Sequence, residues 1–190
     1  MNQILVILFS MFLGLNVFAA ASDYGVEIGF RSQSADTAST TETTKAGVGY
    51  QMGASGSFQL GGALNLRTGL MYVERPIKLA AVSTTDTADV RLTYFDVPVT
   101  LSYKFEDYAS VYAGVALSLN LSNTISGTGY LAASKITNAK SMLVPITFGA
   151  AFRFAPQMGV NLFFETIPGD LADNYKNYRA VGANFLFYFD

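Results

Sequence analysis

Residues 181–189 read Val-Gly-Ala-Asn-Phe-Leu-Phe-Tyr-Phe, and in an extended strand their side chains part into two unlike rows. Val181, Ala183, Phe185, Phe187 and Phe189 fall on one face and are apolar throughout. Gly182, Asn184, Leu186 and Tyr188 fall on the other, because successive side chains of a strand point to opposite faces. A soluble sheet buries the apolar row; a transmembrane barrel turns it outward to lipid and keeps the mixed row in its lumen. A closed sheet needs every strand to repeat the pattern, so the tail sets a test for the whole chain.

The segments upstream repeat it. Strand one, from about Tyr24, sets Tyr24, Val26, Ile28 and Phe30 against Gly25, Glu27, Gly29 and Arg31. A polar loop is expected over 35–44. Strand two sets Val48, Tyr50, Met52 and Ala54 against Gly47, Gly49, Gln51 and Gly53, and turns tightly at 59–62. Strand three carries Leu64, Leu66, Leu70 and Tyr72 against Asn65, Arg67, Gly69 and Met71, ending towards Arg75-Pro76 before a Thr/Asp-rich loop at 83–89. Strand four spans 94–105, turns at Glu106-Asp107, and leads into strand five, 111–121; a Ser/Thr/Gly/Asn loop then covers 122–140 and contains Lys135 and Lys140. Strand six covers 143–154, turns at 155–157, and strand seven runs 159–165; a loop at 167–176 returns the chain to the tail.

Eight strands result, with connections that alternate long and short. Outer-membrane barrels have an even strand number, short periplasmic turns and longer outside loops. The expected fold is all-β: an eight-stranded antiparallel transmembrane β-barrel with up-and-down meander topology, occupying 22–190, with both termini periplasmic. Pro98 and Pro145 fall within strands on the inward face, where each removes a ladder donor and implies a bulge or a missing bond. Ahead of the barrel, residues 4–17 are uncharged and mainly apolar, and Phe18-Ala19-Ala20-Ala21-Ser22 suits cleavage after Ala19 or Ala21. Residues 1–21 therefore read as a cleavable signal peptide, although Met1-Asn2-Gln3 lacks the usual basic residue. A retained anchor helix is the alternative, but that run is short of the roughly 20 apolar residues a spanning helix needs.

With Tyr94-Phe95-Asp96-Val97-Pro98-Val99, Gly114-Val115-Ala116-Leu117-Ser118-Leu119 and Tyr175-Lys176-Asn177-Tyr178 leading into the tail, the chain resembles the small eight-stranded outer-membrane protein β-barrel domain family of Gram-negative bacteria, of porin-like and opacity type. The resemblance covers essentially all of the mature chain. It implies residence in the cell outer membrane among lipid and lipopolysaccharide. The tail, Val181 through Phe189, also looks like the C-terminal signal read by the barrel assembly machinery, except that Asp190 follows the final aromatic residue.

The chain has no Cys and no His, which excludes disulfides, thiolate sites and the commonest general base. The barrel enzymes of similar size, the lipid A palmitoyl transferases and deacylases and the larger omptin proteases, resemble one another in relying on His in the active site, which this chain lacks. Asp86 with Asp89, and Asp170 with Asp173, lie in loops and read as solvating groups. No catalytic, cofactor-binding or metal-binding residue is assigned, and a net charge of −2 with no basic patch points away from nucleic acid. The inward charges are Glu27, Arg31, Arg67, Asp96, Lys104, Arg153 and Glu165, with Gln51, Asn65, Asn161 and Asn184 available to bridge them. They are expected to form a structural polar network in a closed lumen, since eight strands leave room only for side chains. Arg67 with Asp96 is one expected pair; separate hydration of the two is the alternative. The expected function is a non-enzymatic structural or surface-interaction role through the outside loops. A small-solute channel is the alternative, followed by a soluble lipocalin-like barrel with a ligand cavity.

Overall fold

A computed structural model describes residues 23–129, 139–173 and 175–189. The signal segment 1–21, Lys135 and Asp190 lie outside the described residues. The strands are β1 (Asp23–Thr37), β2 (Glu42–Gly61), β3 (Leu64–Ala81), β4 (Thr87–Glu106), β5 (Ala109–Gly127), β6 (Met142–Leu143), β7 (Ile146–Ala155), β8 (Met158–Thr166) and β9 (Tyr175–Phe189). Each pairs antiparallel with its neighbours, β9 returns to β1, and β4 joins β5, so the sheet closes on itself.

Strands β6 and β7 form one crossing, which makes eight. Leu143 faces Ser118 and Ile146 faces Val115 in a single register on β5; Pro145, which has no N–H, interrupts the ladder between them. Its carbonyl still accepts the Ala116 amide at 2.9 Å. Pro98 leaves a similar gap, because β3–β4 pairing lapses between Thr68↔Val99 and Met71↔Asp96 without a change of register. Both prolines therefore cost a ladder bond and neither introduces a bulge.

The outer wall changes character along the barrel. From the short turns upward it is apolar: Phe30, Val48, Leu101, Phe148, Leu162 and Phe185 are each at least half exposed. These residues form the lipid-facing band, while the positions between them are buried in the lumen. Parity at Thr100 and Leu101 follows the expected pattern, with 4% and 51% exposure.

Beyond the band the strands continue where loops were expected. Residues 35–37, 42–44, 87–89 and 122–127 are strand, and Arg75-Pro76 lies well inside β3. In this extension the polarity inverts. Asp36, Lys45, Lys78, Asp89 and Arg91 face outward, whereas Ala35, Ile77, Leu79, Ala88, Val90 and Leu92 pack inside as an apolar core with Leu143, Ile167 and Leu171. Alternation is unbroken in β3 and β4, but water replaces lipid outside, so the inward row becomes the apolar one. A bulge between Thr93 and Tyr94 on the β4–β5 ladder, absorbed at Leu121, brings Ile125 against this core. Connections here are shorter than expected, at 38–41 and 82–86.

Candidate functional site

The lumen is stratified. At the short-turn mouth, Asp23 lies between Lys104 at 2.9 Å and Arg153 at 3.3 Å, and the Arg153 guanidinium covers the Tyr188 ring at 4.4 Å. These groups line an open vestibule of about 720 Å³ with Gln59, Asn65, Glu106 and Asp107. Lys104 and Arg153 were expected in the interior network; they sit at its rim and are partly solvated, because their strands end at the turns just beyond them.

One layer deeper, Glu27 on β1 meets Arg67 on β3 across the lumen. Asn184 donates to the same carboxylate at 3.0 Å and accepts from the Gln51 amide at 2.8 Å. The Tyr112 ring lies 5.0 Å from the Arg67 guanidinium, and its hydroxyl donates to Asn161 at 2.6 Å.

The third layer is fully enclosed, with Arg31 and Arg75 both at 0% side-chain exposure. Arg75 donates to the two oxygens of Asp96 at 2.7 and 3.3 Å and to Glu165 at 3.1 Å. Arg31 meets the same Glu165 and also donates to Gln33, Gln51 and Tyr178, each at 2.9 Å. The Tyr178 hydroxyl donates to the Gln33 amide oxygen at 2.8 Å, and the Gln33 amide nitrogen donates onward to the Pro76 carbonyl at 3.1 Å. Phe163 closes the space beside Arg31, with its ring centroid 5.6 Å away. Gly182 on the facing strand makes that possible, since a Cβ there would collide with the Phe163 ring.

Three guanidinium groups, Arg31, Arg67 and Arg75, thus meet three carboxylates, Glu27, Asp96 and Glu165. Burial of any one alone would cost several kcal/mol. Together they are neutral and multiply hydrogen-bonded, the condition under which buried charge is tolerated. A cavity of only about 70 Å³ remains between the second and third layers, room for a small water cluster. Above the third layer lies the apolar core of the extension, whose fully buried Ile77, Val90, Leu92 and Leu171 each contribute about 1.5–3 kcal/mol relative to exposure.

The expected Arg67–Asp96 pair is not formed. Asp96 stands opposite Met71, with Arg67 four residues before that position on β3 and Arg75 four residues after. Arg67 turns across the lumen to Glu27, and Arg75 takes Asp96. Arg75, Gln33, Tyr178 and Tyr112 are missing from the sequence-based network. For Arg75 the masking signal was Pro76, which read as the end of a strand.

The family described as outer membrane protein beta-barrel domain matches residues 16–166. No curated protein matches the sequence. Among solved structures, the Neisserial surface protein A superposes with a TM-score of 0.53 at 12% identity, covering 90% of this chain and 100% of that one. The outer membrane protein OprG of Pseudomonas aeruginosa superposes at 0.50 and 9% identity, covering 88% and 94%. Ail, the attachment invasion locus protein of Yersinia pestis, superposes at 0.49 and 13% identity, covering 88% and 100%. At these identities the likeness is one of fold.

Proposed function

The chain belongs to the outer membrane protein beta-barrel domain family and is a protein of the outer membrane, and from that premise we propose that it is a non-enzymatic barrel with a sealed lumen that acts through the surface it raises above the membrane. What supports this reading is the stacking of two layers among the described residues. A neutral network of buried ion pairs lies beneath an apolar core, with a cavity of about 70 Å³ within the lumen, while the extension projects polar strands and connections beyond the lipid-facing band. The inward charges Glu27, Arg31, Arg67, Asp96 and Glu165 serve as a structural plug, with Lys104 and Arg153 partly solvated at its rim.

In this reading the short turns and both chain ends face the periplasm, and residues 1–21 are the export signal removed before assembly. The strand 181–189 serves as the recognition element for the barrel assembly machinery. The extension faces outward, where lipopolysaccharide, a neighbouring molecule or a host surface meets it. The small-solute channel is the less favoured reading because the two layers lie in series.

Replacing the connections 38–41 and 82–86 by tight turns, while leaving the strands and the buried Ile167 and Leu171 intact, tests the proposal. Intact cells carrying that variant should lose the surface-binding or membrane-integrity phenotype of the native protein while its gel mobility stays heat-modifiable. An unchanged phenotype on a correctly folded variant would refute a role through these loops.

A further inference from the structure

Between the rim of the lumen and the Glu27–Arg67 layer lies a separate cavity of about 60 Å³. Strands β1 to β5 build much of its wall. Asp23 faces Ser57 and Ser57 faces Arg67, while Ser102 and Lys104 of β4 face Tyr112 and Ser110 of β5. All of these residues line the cavity. Asp23 and Lys104 line the vestibule as well, so the cavity adjoins the short-turn mouth.

The lining is rich in donors and poor in free acceptors. Asp23 is its one carboxylate, and both oxygens are taken, Oδ2 by Lys104 at 2.9 Å and Oδ1 by Arg153 at 3.3 Å. An ammonium carries three N–H donors and a guanidinium five. Lys104 spends one on Asp23, and Arg67 spends one on Glu27. Ser102 is only 6% exposed, yet its hydroxyl forms no hydrogen bond among the described residues, and neither do those of Ser57 and Ser110. A hydroxyl held away from water without a partner is costly and uncommon.

Water would meet these hydroxyls, but Arg67 and Lys104 against Asp23 also leave the lining with an excess of positive charge. An anion meets both needs. A cavity requires about 10–15 Å³ for each water-sized centre, so 60 Å³ holds about four, the number of oxygens in a tetrahedral oxyanion.

We infer that this cavity is a binding site for phosphate, as the free ion or as a monoester. Arg67 and Lys104 supply charge, and the serine hydroxyls supply the directed donors that distinguish an oxyanion from a halide. Glu27 behind Arg67, and Glu106 and Asp107 in the vestibule, oppose the anion's charge. The organic part of an ester would extend into the vestibule of about 720 Å³. The site does not depend on which end of the barrel faces outward.

The dose-dependent rise in unfolding temperature of the full-length barrel, refolded in zwitterionic detergent micelles, tests the site. Phosphate replaces chloride at constant pH and ionic strength. Phosphate should act saturably, and chloride and acetate should bind at least about tenfold more weakly, the worth of one hydrogen bond to a charged group. Ser102→Ala should weaken phosphate by about tenfold on the same ground. It should leave the phosphate-free unfolding temperature unchanged, because the hydroxyl has no protein partner to lose. Asp23→Asn, which removes the one carboxylate of the lining, should strengthen binding.

Tighter binding of glycerol 3-phosphate than of phosphate assigns the site to the ester, and weaker binding assigns it to the free ion. No difference between phosphate and chloride at matched ionic strength would overturn the site. A Ser102→Ala barrel destabilised equally with and without phosphate would overturn it too, since the serine would then be structural.

Discussion

Substituting Asp96 and its two rival arginines separates the observed network from the one the alternation of residues suggests. Asp96→Ala removes the two contacts at 2.7 and 3.3 Å that orient Arg75, but leaves the guanidinium with Glu165 at 3.1 Å. Removing one member of a buried pair costs about 3–5 kcal/mol, and the retained partner places Asp96→Ala near about 3. Arg75→Ala should cost more, about 4–5 kcal/mol, because Asp96 then keeps no cation and Glu165 keeps only Arg31. The double variant Asp96→Ala/Arg75→Ala should be less damaging than the sum by about 1–3 kcal/mol, the range found for residues in one network. Arg67→Ala, which orphans Glu27, should couple to Asp96→Ala more weakly than Arg75→Ala does, since the two share no ion-pair partner and only line the same small cavity. The chain has no Trp, so unfolding in lipid vesicles is best followed by the urea dependence of the folded band on unboiled gels. A larger coupling of Asp96 to Arg67 than to Arg75 would refute the layered network.

Other outcomes test other levels of the account. Leu101→Arg should cost about 2–4 kcal/mol in bilayers, because it places a cation on the lipid face, whereas Thr100→Arg escapes that lipid term; a Leu101→Arg barrel as stable in bilayers as the native one would invalidate the facing of β4. At the rim of the extension, burial first and then the Glu42 carboxylate push the Tyr175 hydroxyl up to about 12. The folded state therefore favours neutral Tyr175, and its contribution to stability is complete below pH 10 and fades as pH rises towards 12. Ultraviolet titration should find Glu42→Gln lowering this value only part of the way to 10, since burial is the larger cause; a full return would show the cause to be the carboxylate alone. Thr40→Cys, which introduces the one thiol of the chain at an exposed position, should react with a membrane-impermeant maleimide on intact cells, and labelling only after the outer membrane is breached would contradict the proposed orientation.

The eight crossings and their facing were legible because one physical rule, alternation against lipid, operates along most of the chain. Val97, Val99 and Leu101 against Asp96, Pro98 and Thr100 show it directly. The extension was not legible for the same reason. Asp36, Lys78, Asp89 and Arg91 look like loop residues when lipid is assumed outside, yet they are the outward row of strands whose inward row, Ile77, Leu79, Val90 and Leu92, forms a water-excluding core. The ion pairs escaped reading because they form across the lumen rather than along the ladder. Glu27 on β1 takes Arg67 of β3, and Glu165 on β8 takes Arg31 of β1. Even on adjacent strands, Asp96 is equally spaced in sequence from Arg67 and Arg75 by way of Met71, so residue order alone leaves that choice open.

Planar-bilayer recording of the purified, refolded full-length barrel tests the sealed lumen most directly. Arg31, Arg75, Asp96 and Glu165 fill the interior, and Ile77, Leu92 and Leu171 cap it. The expected record shows no steady open state in either polarity at any moderate voltage. A stable conductance of porin size in the native protein would contradict the seal and make solute passage the function to pursue.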